Sequence, residues 1–276
     1  MGMGTTSRDG GQDAKDATQG SYEVTIARPV GAHLRQGPKP TNQEKGTKPV
    51  KLRVRPGHSP ETPTIISVKS LVFAEEQGSY LVGAAAGLKT KTNKVGFIGG
   101  VEMELIKKFE AGFVAGVKAT NPGATVDIKY ISPAGDFSGF GDPAKAKEIA
   151  TGMYEGGADG IFHAAGGSGN GLFEAAAAAG DGMWAIGVDS DQYLTASPDQ
   201  QKHILTSMLK RVDVAVYGAI KEFSDGNTKG GVEVYDLSKD GVGYSTSGGY
   251  LDDIKDELEA IKADIVSKKI TVPTAP

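Results

Sequence analysis

Between Ser70 and Gly100 the chain reads SLVFAEEQGSYLVGAAAGLKTKTNKVGFIGG. An apolar strand, a pair of acids, an Ala/Gly-rich helix and a second apolar strand follow one another within one short span. Parallel strands need a crossover of a dozen or more residues, usually a helix, so this order of elements spells one βαβ unit. A chain built on such a unit is committed to a parallel sheet with helices packed on its faces.

The alternation continues to the end. Strands are predicted at 68–73, 95–99, 125–131, 159–164, 183–188, 204–209, 232–236 and 270–273, and helices at 75–90, 102–120, 143–155, 171–179, 211–224 and 250–266. In the second helix Leu105, Phe109, Phe113 and Val117 recur every four residues and predict one buried stripe, closed by Asn121-Pro122-Gly123. Asp142-Pro143 reads as N-cap and first helical residue, and Gly156-Gly157 as the stop. Leu251, Ile254, Leu258 and Ile261 mark the apolar side of the last helix. Glu75 and Glu76 suit the positive end of a helix dipole at an exposed start. The fold class is α/β.

Residues 1–67 differ in kind from residues 68–276. They hold ten Lys/Arg against six Asp/Glu, a balance of +4 that leaves -8 for the remainder. Gly, Pro, Thr and Gln dominate there and no apolar period persists, so the segment reads as a leader without regular structure. A basic arm contacting nucleic acid or anionic lipid is the competing reading. The net charge of -4 for the whole chain argues against nucleic acid as the main partner. There is no cysteine, which removes disulfides, thiol catalysis and Cys-ligated zinc. His33, His58, His163 and His203 share no metal-ligand spacing, and neither metal nor cofactor is expected.

The segment with most chemical promise is the loop Gly166-Gly167-Ser168-Gly169-Asn170-Gly171, between a strand and a helix. Backbone amides at a helix start favour oxygen-rich ligands. The third glycine of a dinucleotide fingerprint is replaced by Leu172, no Gly-Lys-Ser/Thr follows, and Asn170 stands where a nucleophile elbow needs glycine. A nucleotide-dependent enzyme using Gly166–Gly171 is thus the alternative function, and a plain tight turn is the structural one. Asp189 ends the strand WAIGVD, where open α/β sheets bind their ligands. A carboxylate there can accept from two adjacent sugar hydroxyls, or it can cap the turn that follows. Ser168, His163 and Asp189 could be drawn as a triad, but nothing in their spacing requires one. Arg211 and Asp213 read as a charge pair at a helix start.

Several of these segments also carry a family resemblance, in order along the chain. SLVFAEEQGSYLVGAAAG, IKKFEAGFVAGVKATNP, GADGIFHAAGGSGNGLFEAA, WAIGVDSDQ, LTSMLKRVDVAVYGAIKEF and GYSTSGGYLDDI resemble the basic membrane protein family of substrate-binding lipoproteins of ABC importers. The resemblance covers about residues 68–276 and implies a type I periplasmic-binding-protein-like fold, with the first lobe largely missing or replaced by the leader. It implies capture of a nucleoside, purine above all, without chemistry on it. Phe173 would then stack on the base, Asp189 and Lys210 would hold the ribose, and Gly166, Gly167 and Gly169 would line the cleft. It also implies an extracytoplasmic, lipid-anchored protein partnered by importer membrane subunits. Neither an apolar export segment nor a lipid-accepting cysteine is present in the chain as written, so a truncated, non-functional fragment is a further alternative.

Overall fold

The computed structural model describes residues 68–227 and 229–276. The expectation for residues 1–67 lies outside them. The elements in order are β1 (Lys69–Phe73), α1 (Glu75–Lys89), β2 (Lys94–Val101), α2 (Glu104–Thr120), β3 (Thr125–Ser132), α3 (Pro143–Glu155), β4 (Gly160–Ala164), α4 (Gly169–Ala179), β5 (Trp184–Asp189), α5 (Pro198–Gln201), β6 (Ile204–Lys210), α6 (Val212–Ser224), β7 (Gly231–Tyr235), β8 (Val242–Tyr244) and α7 (Lys255–Val266).

Six strands form one sheet in the order β3-β2-β4-β5-β6-β8, parallel throughout except for β8, which runs antiparallel to β6. The period of two along a strand separates two cores. From β2, Phe97 joins Phe113 of α2 and Phe162 of β4 on the side of α1, α2 and α7. The next residue, Ile98, joins Ile161, Leu172 and Phe173 beneath α3 and α4. Both faces of the sheet are covered, and its strand interiors are nearly all apolar.

Helices α1 and α2 cross with backbone against backbone. Gly83 and Gly87 on α1 meet Phe113, Val117 and Thr120, while Gly112 and Gly116 on α2 meet the carbonyls of Glu76 and Tyr80. At each of these glycines a Cβ would fall within 3.0 Å of the other helix. No other residue type fits there, and α1 is consequently buried along almost its whole length.

The chain closes through a separate pair. β1 lies parallel to β7, with Lys69 opposite Gly231 and Phe73 opposite Tyr235. On the inner side Phe73 packs on Tyr235 with ring centroids 5.7 Å apart. Val72, Val232 and Val234 on its outer face are exposed, as are Val216, Tyr217, Ile220 and Phe223 of α6.

The helix boundaries follow from local chemistry. The Asp142 side chain accepts from the Lys145 amide with Pro143 in the first turn, and Gly157 leaves α3 at φ +93°. Arg211 binds Asp213 through Nε and Nη2 at 3.1 Å and Asp240 through Nη1, also at 3.1 Å.

Three expectations need correction, and one short strand, β8, was not anticipated. Leu105 is 40% exposed and Ile106 takes its place in the buried stripe. A strict spacing of four drifts by about 40° per step around a helix of 3.6 residues per turn, so the buried face needs mixed steps of three and four. No strand forms at 270–273; the Lys269 and Ile270 amides instead cap α7 on the Asp264 carbonyl, with Lys268 at φ +63°. The three-residue β8 is too short to show a period. Glu75 and Glu76 are buried, because Gly112 seats α2 directly on the first turn of α1.

Candidate functional site

All four strands β2, β4, β5 and β6 run parallel, so their carboxyl ends gather at one end of the sheet. Ligands of open α/β sheets bind there. Asp189 is the last residue of β5 and sits at φ +66°, a left-handed backbone that non-glycine residues seldom adopt. The strain is held by a tight turn in which the Ser190 amide donates to the Val188 carbonyl at 2.8 Å. This conformation leaves the Asp189 side chain 53% exposed, with Oδ1 3.3 Å from Nζ of Lys210 at the end of β6. The lysine is only 21% exposed. Its ammonium lies 5.9 Å from the ring centroids of both Phe73 and Phe109, a distance at which an aromatic face attracts a cation.

The glycine loop divides into two parts. Gly166, at φ +55°, and Gly167 expose their backbone at the end of β4. Gly169 is buried, its amide bonded to the carbonyls of Gly166 and Gly167, and a Cβ there would run into the His163 ring. Ser168 is a tether: its hydroxyl donates to the Gly139 carbonyl at 2.7 Å and accepts from the Asp142 amide at 2.8 Å, tying the loop to the start of α3.

His163 is enclosed. Its Nε2 lies 3.0 Å from Oε1 of Gln192, which also accepts the Val188 amide at 2.7 Å. Since Oε1 is an acceptor only, Nε2 carries the proton and Nδ1 is a bare acceptor with no hydrogen bond. Burial pushes the imidazole down to about 4 and keeps it neutral. Ser168, His163 and Asp189 therefore bond to Gly139, Gln192 and Lys210 respectively and not to one another.

Phe173 sits in the first turns of α4 and is 3% exposed, its ring in the core edge-on to His163 at 5.5 Å. Asp189, Lys210, Gly166 and Gly167 thus share an accessible rim, while Phe173 and Gly169 lie beneath it. Asp191 is tied down, accepting at Oδ2 from the Ser247 hydroxyl at 2.5 Å.

Residues that sequence reasoning did not associate with the site are Phe73, Phe109, Glu75 and Glu76. The available signal was position: Phe73 and Glu75 flank the carboxyl end of β1. Among the described residues, the buried side-chain atoms left without a hydrogen bond are Glu75 Oε2, Glu76 Oε2, Ser79 Oγ, His163 Nδ1 and Asp191 Oδ1. All five belong to the opening turns of α1, to the end of β4 or to the segment just after β5. Burial pushes both Glu75 and Glu76 above the usual carboxylate range. Unsatisfied buried groups and strained backbone recur at functional sites. No helix among the described residues is long and apolar enough to cross a membrane.

Comparison with known proteins bears on the family and the fold. The family model described as "ABC transporter substrate-binding protein PnrA-like" (Bmp) matches residues 59–275. A CD4+ T-cell-stimulating antigen of Listeria monocytogenes is 44% identical over 222 residues, which cover 76% of this chain and 60% of that protein. The ABC transporter nucleoside-binding protein BmpA of Lactococcus lactis is 40% identical over 75% of this chain and 61% of its own length. Basic membrane protein A of Borreliella burgdorferi is 32% identical over 77% of this chain and 60% of its own. The chain thus spans about 60% of the length of these curated relatives. Among solved structures, an ABC transporter solute-binding protein of Aeropyrum pernix superimposes with a TM-score of 0.62 at 26% identity, over 75% of this chain and 66% of that one. One from Conexibacter woesei shares the fold, with a TM-score of 0.60 at 23% identity over 75% and 66% of the two chains. With a parallel-dominated α/β fold of the periplasmic-binding-protein kind and a family match over most of its length, the chain belongs to the Bmp family of PnrA-like ABC transporter substrate-binding proteins.

Proposed function

We propose that this protein captures a purine nucleoside outside the cytoplasm and hands it to the membrane subunits of an ABC importer, without chemistry on the ligand. The observation that carries the reading is Asp189, held on a left-handed backbone at a strand end with its carboxylate exposed beside Lys210. An acceptor pair and an ammonium in that relation match the two adjacent hydroxyls of a ribose, and charged hydrogen bonds to them contribute about 1.5–3 kcal/mol each. The exposed Gly166 and Gly167 backbone adds amides at the rim. Phe173 is the proposed stacking partner of the base, and reaching it requires the first turn of α4 to move off His163, since the ring has no open face here. The nucleoside-binding name of the Lactococcus relative supports the ligand class.

The test is calorimetry of inosine, adenosine and guanosine with the full chain, followed by chromatography of the mixture. Heat of binding with the nucleoside recovered intact is the expected result. Absence of heat with all three, or release of free base, refutes the reading.

A further inference from the structure

Three strands meet on Gln192, and the ligand reading above gives it no part. The ladder between β4 and β5 ends at the pair Phe162–Ile186. Every second amide of β5 faces β4, as that of Trp184 does in bonding the Asp159 carbonyl. The Val188 amide is therefore left at the end of the ladder, and Gln192 Oε1 accepts it at 2.7 Å. A backbone N–H only donates, so the oxygen of the Gln192 carboxamide must face it. The same oxygen accepts from His163 Nε2 at 3.0 Å, and that imidazole is fully buried. On β6, the buried Ser207 hydroxyl accepts the Gln192 backbone amide at 3.1 Å, while the Ser207 amide donates to the Ser245 hydroxyl at 2.9 Å. Gly187 makes the room: a Cβ there would lie 2.7 Å from Gln192 Oε1 and 2.5 Å from Ser207 Oγ.

These bonds close on Asp189. Val188, just before it, is held through both its polar groups, the amide by Gln192 and the carbonyl by the Ser190 amide at 2.8 Å. A carbonyl bonded to the amide two residues on, around a central residue at φ +66°, makes the rare and strained hand of three-residue turn. Such a conformation persists only where its surroundings impose it. We propose that Gln192 is a positioning residue of the binding site: its side chain, seated over Gly187 and braced on His163, and its backbone, anchored on Ser207, keep the turn closed and hold the Asp189 carboxylate ready for the ligand. Ser207 and Lys210 lie on the same strand, so the brace also fixes the carboxylate relative to the ammonium, 3.3 Å away. A prearranged pair binds without the cost of being ordered at that moment.

The test is Gln192→Met in the full chain, which keeps the length of the side chain and removes the acceptor. With the brace gone, the left-handed conformer of Asp189 is disfavoured. Nucleosides should then bind about five- to thirtyfold more weakly, the equivalent of about 1–2 kcal/mol of left-handed strain. Because Gln192 acts through Asp189, adding Gln192→Met to Asp189→Ala should change affinity by less than about twofold. A residue that supports the fold alone would weaken binding equally in both backgrounds.

The affinity arm rests on the nucleoside reading, and a second arm does not. Amide hydrogen exchange of the full chain, read by NMR, should show Val188 and Ser190 losing about tenfold in protection in Gln192→Met while Ile186 keeps its own. Ser207→Ala removes the anchor of the Gln192 backbone and should give the same pattern in both arms, which covers a Gln192→Met protein that does not fold. Should wild type bind none of inosine, adenosine and guanosine, the functional reading falls while the exchange still decides whether Gln192 closes the turn. Unchanged protection at Val188 and Ser190, or equal losses along β5, overturns the proposal, as does a Gln192→Met protein with wild-type affinity.

Discussion

Replacing Gly116 by alanine tests the packing account most sharply, because the same replacement elsewhere in the chain should have the opposite sign. A methyl at Gly116 would lie 2.8 Å from the Ala84 amide nitrogen and 2.9 Å from the Tyr80 carbonyl carbon, closer still to that carbonyl's oxygen. These are backbone atoms of a helix buried on nearly all sides, so no rotamer change relieves the clash. The helices must part by about 1 Å, which forfeits a quarter to a half of the dispersion energy at each contact along the crossing. Overpacking costs about 1–3 kcal/mol and rises where the backbone is confined. Alanine recovers up to about 1 kcal/mol in helix propensity. With the cost at the upper end of that range, the net loss is about 1–2 kcal/mol, a drop in Tm of about 2–8 °C for a domain of this size. Gly152 in α3 is the control, since a methyl there meets nothing within 4 Å. Gly152→Ala should raise Tm by about 1–4 °C through the unfolded state and helix propensity. Circular-dichroism melts of the two variants beside wild type decide the matter. A Gly116→Ala protein melting at or above wild type would falsify the account of a backbone-to-backbone crossing.

Asp189→Ala should weaken nucleosides about ten- to a hundredfold and leave free bases nearly unaffected, as calorimetry with the two ligand sets can show. Asp189→Gly should lose the same affinity while gaining about 0.5–1 kcal/mol of stability, since glycine accepts the positive φ without strain; a loss in a denaturant melt counts against strain at this position. His163 sets an acid limit. Its pKa of about 4 in the fold against an ordinary value near 6.5 means that stability is complete above about pH 6.5 and declines by about 3 kcal/mol as pH falls towards 4. His163→Gln should flatten that limb in melts run from pH 7 to pH 4. Ser168→Ala should cost about 1–3 kcal/mol by orphaning the Asp142 amide and the Gly139 carbonyl. An unaltered melting curve would show that the loop is not anchored through this hydroxyl.

The sheet was readable from the sequence because its strands are short, apolar and fenced by glycine and proline turns, and because parallel strands are buried on both faces. Asp142-Pro143 and Gly156-Gly157 likewise declare the limits of α3 through local chemistry alone. Where the outcome depended on distant packing, local rules failed. Glu75 and Glu76 look like solvent-facing helix-start acids, and only the glycines of α2 more than thirty residues onward bury them. Ile270 and Val272 have strand character, yet the backbone there is taken up in ending α7. Of the candidate site, Asp189 was read from its place at the end of an apolar strand and Lys210 from the family resemblance. Its pairing partners and the phenyl rings flanking Lys210 come from other strands and helices, which no local window links.

The pairing of β1 with β7 has a consequence for how the chain is made. Lys69 has to wait for Gly231, about 160 residues later, before its ladder exists. At synthesis rates of about 5–20 residues per second that is a delay of roughly 8–30 s. During it the Leu71-Val72-Phe73 strand lacks the only partner it has among the described residues, and the acidic start of α1 hangs from it. Contacts of such long sequence separation form late and slowly. The nascent chain therefore carries β1 without its β7 partner, and chaperone capture or misdocking should concentrate there until the ribosome has passed Tyr235.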